Sequence, residues 1–218
     1  MNEPAERHAL PLRERKKLRT RRDLVDTALR LFTERGFDAV TLDELCARVE
    51  VSKRTFFRYF TSKEEVANAP FRELWTKVLD ELSVTEPADR PMLELFGDAL
   101  VSTVERMTVD DAGWLLAAQR LSGQHPALVA HALQFCEQHT LAVLDLLRDR
   151  FGLDPERDPR PRLLCDLALA VYRHALAGWQ EHADRHPADP PSTTDFSTRY
   201  RAAVAALRDS LTLTPQPR

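Results

Sequence analysis

Glycine is scarce in this 218-residue chain, and its six glycines lie singly, so the chain has neither a glycine-rich phosphate loop nor a nucleophile elbow. Its three cysteines are widely spaced and form no CxxC pair, which argues against a disulfide framework or a zinc knuckle. No apolar run reaches the roughly 18 residues that span a bilayer, and residues 1–17 carry charges where a secretion signal is apolar. We therefore expect a cytoplasmic protein with reduced, buried thiols and no cofactor.

Alternating strand patterns are also lacking, because apolar residues recur at intervals of three and four, which is the helical period. The 14 prolines divide the chain into stretches of helix length. We expect Gly36 to close the first helix, with Phe37 folded back on Phe32. The sequence predicts an all-α fold with helices at about 15–35, 42–49, 53–59, 63–84 with a kink at Pro70, 91–107, 110–121, 126–151, 160–185 and 195–211.

Charge is divided unevenly along the chain. Residues 1–63 contain 15 Lys and Arg against 10 Asp and Glu, whereas residues 64–218 contain 16 against 24. A basic head on an acidic body favours a polyanionic partner for the head alone.

Three helix starts follow the first helix closely. Thr41–Glu44 and Ser62–Glu65 have the capping-box pattern, and Ser52 is placed as the N-cap between them. The two short helices joined by residues 50–52 have the dimensions of a helix-turn-helix, whose second helix enters the DNA major groove.

The second of these short helices has a basic face with one aromatic ring. At 100° per residue, one arc holds Lys53, Arg54, Phe57 and Arg58, while Phe56 points inwards. Lys53 and Arg54 are placed to reach guanine edges, and Arg58 to reach phosphate. The alternative is a solvated charged face, but the large ring of Phe57 is unfavourable there unless it contacts a partner, such as a thymine methyl or a sugar.

The run Thr20–Val66, TRRDLVDTALRLFTERGFDAVTLDELCARVEVSKRTFFRYFTSKEEV, resembles the DNA-binding domain of the TetR family of bacterial transcription regulators. The motifs ALxLFxExGF, TLxEL, VSxxTFFxYF and SKEE match in order and spacing. The resemblance implies a homodimer in which a three-helix helix-turn-helix head is joined to a larger helical ligand-binding and dimerisation domain. Two residues depart from the family pattern, since Glu50 stands where Gly is frequent and Phe57 where Tyr is frequent.

The resemblance also implies the domain limits and the DNA contacts. We expect a flexible basic arm at 1–14, the head at 15–62, the body at 63–212 and a tail at 213–218. The expected DNA-contacting residues are Thr41, Ser52, Lys53, Arg54, Thr55, Phe57, Arg58, Tyr59 and Lys63, the last as a phosphate contact, together with Arg19 and Arg21.

Arg19 and Arg21 belong to a basic run at the start of the first helix. Its seven cations are opposed only by Glu14, and they are Arg13, Arg15, Lys16, Lys17, Arg19, Arg21 and Arg22. Contact with DNA phosphates or the minor groove is one interpretation. The other is an exposed helix face followed by a disordered tail.

The body lacks so specific a motif. The predicted helix 160–185 is apolar on more than one face, and the helix 195–211 carries an apolar stripe of Tyr200, Ala203, Val204 and Leu207. Together they predict a four-helix dimer interface, as in TetR regulators. The alternative is that both helices fill the core of one monomer.

Large side chains in the body are sufficient to line an apolar cavity, although aromatic residues at helical spacing are also ordinary core residues. The candidate ligand-binding residues are Trp75, Phe96, Trp114, Arg120, Phe135, Tyr172 and Trp179. The motif QRLSGQHPAL before a long helix resembles the mycofactocin-regulator-like subgroup, some of whose members sense fatty acyl-CoA. That likeness implies a small hydrophobic ligand, with an acyl-CoA as the candidate and Arg120, Arg148 or Arg173 at a basic mouth.

Metal and catalytic sites are not indicated. Cys136 and His139 stand at i,i+3, but no third ligand has matching spacing, so we expect no metal site and assign no catalytic residue. The favoured interpretation is a ligand-responsive repressor that binds a palindromic operator as a dimer. A helical cofactor-binding protein or enzyme, and an architectural DNA-binding protein without a ligand, stay open as alternatives.

Overall fold

The structure is a computed structural model that describes residues 11–87, 89–210 and 212–214. Over these residues the chain is all-α, with ten helices and no strand. The helices are α1 (Leu12–Arg35), α2 (Leu42–Arg48), α3 (Lys53–Phe56), α4 (Lys63–Ala67), α5 (Ala69–Val84), α6 (Met92–Glu105), α7 (Val109–Gln124), α8 (Pro126–Phe151), α9 (Arg160–Arg185) and α10 (Thr193–Ser210).

The chain divides into two compact units, the first ending at Ala69 and the second beginning at Pro70. The predicted boundary lay at residue 63, so the structure places α4 with the first unit. The first turn of α1, from Leu12, occupies residues predicted to belong to the flexible arm. Residues 1–10 of that arm lie outside the described residues.

The first unit is built on the apolar face of α1, where Leu24, Ala28 and Phe32 are buried in its core. The helix ends because Gly36 adopts φ +86°, a conformation that a side chain disfavours, and its N–H donates to the carbonyl of Phe32 at 3.0 Å. The Phe37 ring then packs edge-on against Phe32, with 4.9 Å between the ring centroids. The predicted closure of the first helix is confirmed.

The three short helices of the head start at the predicted N-caps. The hydroxyls of Thr41, Ser52 and Ser62 each accept the backbone N–H three residues later, at 3.1–3.2 Å. Each bond satisfies one of the N–H groups that the first helical turn leaves unpaired. The first unit therefore contains the three expected helices of the head and, in addition, the short α4.

Two predicted helix limits are wrong. α3 is regular only to Phe56, and residues 57–59 form turns rather than helix. The predicted long helix with a kink at Pro70 is instead broken at Asn68, between α4 and α5. The Asn68 amide donates to the carbonyl of Glu64 at 3.0 Å, so a side-chain bond lies where the helix ends.

The second unit has one apolar core made by α5 to α10. Its helix ends follow local rules, because Thr108 and Asp111 form a reciprocal capping box at the start of α7, and Gly152 is left-handed at the end of α8. α10 packs along both α9 and α6. At Gly97 of α6, an added Cβ would lie 3.1 Å from the Tyr200 ring, so this contact needs glycine.

The predicted dimer stripe on α10 faces a different way. Tyr200 is buried in the core of its own unit, and Ala203, Val204 and Leu207 pack against that core. Leu163 of α9 is 55% exposed, and the alanines of α9 and α10 that point outwards are Ala170, Ala177, Ala202, Ala205 and Ala206. The interface between two protomers stays a prediction.

Three further features of the described residues concern membrane-spanning helices, metal-binding groups and disulfides. No helix there is long and apolar enough to cross a membrane, and no group of three metal-binding side chains comes together. All three cysteines are free, Cys46 and Cys165 being buried and Cys136 half-buried.

Candidate functional site

One buried aromatic side chain, Phe56, anchors α3 to the core of the head. Phe56 is fully buried and packs against Phe60, with 5.8 Å between the ring centroids. Phe57 lies edge-on to Phe56 at 5.6 Å and is 52% exposed. The predicted inward position of Phe56 and outward position of Phe57 are thus both observed, and a large ring stands on a polar surface.

The cations of α3 differ in their surroundings. Lys53 Nζ lies 2.8 Å from a carboxylate oxygen of Asp43 on α2. The Arg58 guanidinium lies over the ring of Tyr59, 5.2 Å from its centroid. Arg54 is exposed and forms no ion pair with any residue that the structure describes. Its five N–H donors are available to an external acceptor.

The basic run of α1 is divided between two roles. Arg13, Lys16 and Lys17 line a groove together with Arg58 and Tyr59, and Glu14 also lines it, 3.8 Å from Lys17. Arg21 instead lies over the Phe60 ring at 5.1 Å. Arg19 pairs loosely with Asp23, at 3.9 Å on an exposed face.

This groove brings α1 and the end of α3 to one surface of the head. The expected set of DNA contacts contained Arg19 and Arg21 but omitted Arg13, Lys16 and Lys17, which the groove brings beside Arg58. The run of basic residues in the sequence indicated a DNA-contacting surface. Which of these residues share one face depends on their angular positions around α1.

Lys63 has a structural environment that the sequence did not suggest. Its ammonium donates to the carbonyls of Phe37 at 2.7 Å and Val40 at 2.6 Å, and it lies over the Phe37 ring. These bonds fix the loop between α1 and α2 to the start of α4. Only one of its three donors is left for a phosphate, so its DNA contact stays a prediction and its anchoring of the head is observed.

The hydroxyl groups of the expected site form hydrogen bonds within the head itself. Thr41 and Ser52 cap α2 and α3, and the Thr55 hydroxyl lies 3.0 Å from that of Ser52. They orient the short helices, and their contact with DNA stays a prediction.

A separate cavity lies inside the second unit. It has a volume of about 30 Å³ and is lined by Trp75, Phe96, Cys136, His139, Thr140, Val143, Cys165, Ala168 and Leu169. The lining is almost wholly apolar, as small-molecule sites in proteins generally are. The cavity is also narrow, since one water molecule in the liquid occupies about 30 Å³.

Four of the seven expected ligand-binding residues lie at this cavity or beside it. Trp75 and Phe96 line it, Tyr172 packs edge-on against Trp75 at 4.8 Å, and Phe135 stacks on His139 at 5.7 Å.

The other three expected residues lie elsewhere. Trp179 is a core residue packed against Phe196, and neither Trp114 nor Arg120 lines the cavity.

The remaining lining residues were not predicted. On α8 they stand at 136, 139, 140 and 143, and on α9 at 165, 168 and 169, which is the spacing of one helix face. Such spacing was the only signal, and it cannot distinguish a cavity wall from ordinary core. Burial lowers the pKa of His139 to about 4 and raises the pKa of the Cys165 thiol to about 11, so both are uncharged at neutral pH.

Each of the two units of the chain matches a known protein family. Residues 24–69 match the family model of bacterial regulatory proteins of the tetR family, and residues 90–198 match the MftR C-terminal domain. The chain belongs to the TetR family. The subgroup likeness seen in the sequence is thereby supported as well.

Individual relatives agree with this assignment. The regulator TcmR of Streptomyces glaucescens is 31% identical over 92% of this chain and 88% of its own length. The repressor DhaR of Mycobacterium sp. strain GP1 is 25% identical over 81% of this chain and 90% of its own.

The fold has a match among solved structures. FadR, a fatty acid degradation regulator from Bacillus halodurans, superposes with a TM-score of 0.55 at 16% identity, covering 87% of this chain and 96% of that one. The family models and the relative TcmR, rather than this fold match, show that the chain is a DNA-binding transcription regulator of the TetR family.

Proposed function

We propose that this TetR regulator is a repressor that binds a palindromic operator as a homodimer and is released by a small hydrophobic effector. The observation that supports DNA recognition most strongly is the exposed surface of α3, where Arg54 and Phe57 project from a turn that Ser52 and Phe56 hold in place. An exposed, unpaired guanidinium beside an exposed ring fits base edges and thymine methyl groups.

The proposed operator contact has a positioning part as well as a recognition part. Arg13, Lys16, Lys17 and Arg58 present four cations around one groove of the head, where phosphates would be neutralised. Such contacts fix the position of α3 on the duplex without selecting its sequence.

Dimerisation is proposed on the outer face of α9 and α10. Its alanines permit close helix approach, and Leu163 supplies a large apolar side chain. A two-fold axis there would make the interface self-complementary and would match a palindromic operator.

The effector is proposed to bind in the cavity of the second unit. Because the cavity is narrow, a bound molecule must move its walls apart, and these walls belong to α5, α6, α8 and α9. α5 follows α4 of the head after a single residue. Displacement of α5 is thus the proposed route by which the effector favours a dimer whose α3 helices no longer match successive major grooves, about 34 Å apart.

A fatty acyl-CoA is one candidate effector, and the three arginines expected to bind its phosphates bear on it. Arg120 is paired with Asp184 at 2.5 Å, and Arg148 with Asp145 at 2.8 Å, so two of the three expected cations are already engaged. The third, Arg173, interacts with Cys136 at the cavity wall. The apolar lining suits an acyl chain better than these cations suit the phosphates of the CoA group.

The proposal is tested with DNA from the region upstream of the protein's own gene. Fluorescence anisotropy should show binding that survives an excess of unrelated DNA and weakens steeply as salt is raised. Sedimentation should show a dimer at micromolar concentration, and two protomers for each operator. Monomeric protein that binds every duplex equally would contradict the proposal and would favour the architectural alternative.

A further inference from the structure

Two buried polar atoms beside the cavity lack a hydrogen-bond partner among the described residues. They are the hydroxyl oxygen of Tyr172, whose side chain is 3% exposed, and Nε2 of His139. Polar groups buried in proteins are nearly always paired, because an unpaired one loses its bonds to water without replacement. Two such atoms close together are a reason to look for an external partner.

One of these residues, His139, lines the cavity, and the other, Tyr172, packs against the lining residue Trp75. His139 lines the cavity directly, and its ring lies 5.6 Å from that of Trp75. Tyr172 stands one helical turn beyond Ala168 on the same face of α9, and its ring contacts the other part of Trp75 at 4.8 Å. Trp75 is therefore in contact with both polar side chains.

The residues that line the cavity are uncharged, and the exposed Arg173 interacts with one of them, Cys136. None of the nine described lining residues is an acid, a lysine or an arginine, and burial keeps His139 neutral at pH 7. A charged ligand group would lose its hydration inside such a wall, and the cation at hand, Arg173, already interacts with Cys136. A neutral hydroxyl or carbonyl suffers no such penalty.

We propose that the effector is an uncharged, ring-containing compound whose hydroxyl or carbonyl group bonds to Tyr172 and His139 while its ring packs against Trp75 and Phe96. This inference rests on the proposed use of the cavity as the effector site and adds the chemical class of the effector. It places the charged acyl-CoA among the compounds that bind less well.

The selectivity comes from the two polar side chains. A site that offers hydrogen bonds rejects an analogue lacking the partner group, because its own buried groups then stay unpaired. The aromatic rings provide edge-on and stacked contacts that a planar ring fills better than a flexible chain.

The test uses three probes of the same two-ring shape, 2-naphthol, 2-methylnaphthalene and the 2-naphthoate anion, measured by isothermal titration calorimetry at pH 7.5. We expect 2-naphthol to bind at least about tenfold more tightly than either other probe, the effect of one buried hydrogen bond. Equal affinity for 2-naphthol and 2-methylnaphthalene, tighter binding of 2-naphthoate, or no binding of any probe would overturn the inference.

Two variants test whether the preference for 2-naphthol comes from the Tyr172 hydroxyl and His139 Nε2. Tyr172→Phe and His139→Phe each remove one polar group and keep a ring, and each should reduce the preference for 2-naphthol over 2-methylnaphthalene to about twofold or less. Tyr172→Phe should not lower the melting temperature, because it removes an unpaired hydroxyl. Tyr200→Phe is the matched control, since Tyr200 is a buried tyrosine outside this cavity, and it should keep the full preference.

DNA binding by the same preparations, measured without a probe, separates the two proposals. Sequence-specific DNA binding without a preference for 2-naphthol would overturn this inference alone. A clear preference for 2-naphthol without specific DNA binding would instead overturn the proposed function. An unchanged preference in Tyr172→Phe would show that the selected group lies elsewhere.

Discussion

Single residues decide how the head can recognise DNA, and Arg54 is the clearest case. It is exposed, and it forms no ion pair with the residues that the structure describes, whereas Lys53 is held by Asp43. An arginine can bond a guanine edge through two N–H groups. Arg54→Ala should therefore weaken binding to the preferred site by about 1–3 kcal/mol and relax the preference at one base pair in each half-site.

The Arg54 prediction is checked by anisotropy titrations against a panel of single-base operator variants. Arg157→Ala makes the same charge change at an exposed position between α8 and α9, and it should leave every affinity nearly unchanged. If Arg54→Ala weakened all the operator variants equally, Arg54 would be a phosphate contact instead.

Glu50 is unusual in its backbone conformation as well as its charge. It has φ +55°, where a residue with a side chain is disfavoured, at the turn between α2 and α3. Glu50→Gly should raise the free energy of unfolding by up to about 1 kcal/mol, because glycine adopts this conformation without steric cost. Ala47→Gly, within α2, should instead lower it by about 1 kcal/mol.

The charge of Glu50 is tested separately from its conformation. Glu50→Gln keeps the backbone conformation, so it should leave thermal stability unchanged while strengthening DNA binding at low salt. If Glu50→Gly proved as destabilising as Ala47→Gly, the turn would require something that glycine cannot supply.

His139 should make the stability of the protein depend on pH. Burial lowers its pKa from 6.5 to about 4, so between these values the unfolded chain binds a proton that the folded chain does not. Stability is thus lost as pH falls from 6.5 towards 4, by up to about 3 kcal/mol at about 1.4 kcal/mol for each pKa unit. In urea unfolding, His139→Gln should show a smaller loss over this range than the wild type.

The control for this experiment is a histidine on the surface. His174→Gln on α9, where the side chain is exposed, should follow the wild-type pH profile. Parallel profiles for wild type and His139→Gln would mean that His139 is protonated in the folded protein.

At the scale of helices, close packing between α6 and α10 depends on Gly97. A Cβ at this position would lie 3.1 Å from the ring of Tyr200, whereas a Cβ at Gly113 in α7 would meet nothing within 4 Å. Gly113→Ala should therefore stabilise the protein by about 0.5–1 kcal/mol through helix propensity alone. Gly97→Ala should lose that gain and destabilise by about 1–3 kcal/mol, because the core is overpacked.

Thermal and urea unfolding of the two alanine variants provides the comparison. Equal stabilisation by both substitutions would contradict this prediction, because it would mean that the Tyr200 ring moves away from residue 97 without a loss of stability.

Helices were the easiest elements to predict, because their signals are local. The capping hydroxyls at Thr41, Ser52 and Ser62 and the glycine at 36 act over three or four residues, and each is found where expected. The break at Asn68 was missed because the apolar periodicity continues through it.

The cavity was only half predictable. Its large rings, Trp75 and Phe96, stand out in a sequence, but Cys165, Ala168 and Leu169 become wall residues only when α8 and α9 pack together. The sequence left open whether the α10 stripe forms a dimer interface or a core for the same reason, and the structure places its Tyr200 in the core.

At the scale of the whole molecule, a basic head and an acidic body suit a protein that brings only one part to DNA. Ligand control then needs only modest energy, because a tenfold loss of operator affinity corresponds to about 1.4 kcal/mol of coupling. Under the proposed function, an effector that separates the walls of the narrow cavity would supply this free-energy difference between two conformations of a dimer.

The central claim, sequence-specific recognition by two copies of α3, is tested most directly by selecting bound duplexes from a random DNA pool with the full-length protein. The account predicts that the wild type enriches a palindrome whose half-site centres lie about 10 base pairs apart or a multiple of that. With Arg54→Ala, the selected sequences should no longer prefer one base pair at one position of each half-site. A pool that shows no enriched sequence after repeated selection, or that yields a single half-site bound by one protomer, would contradict it.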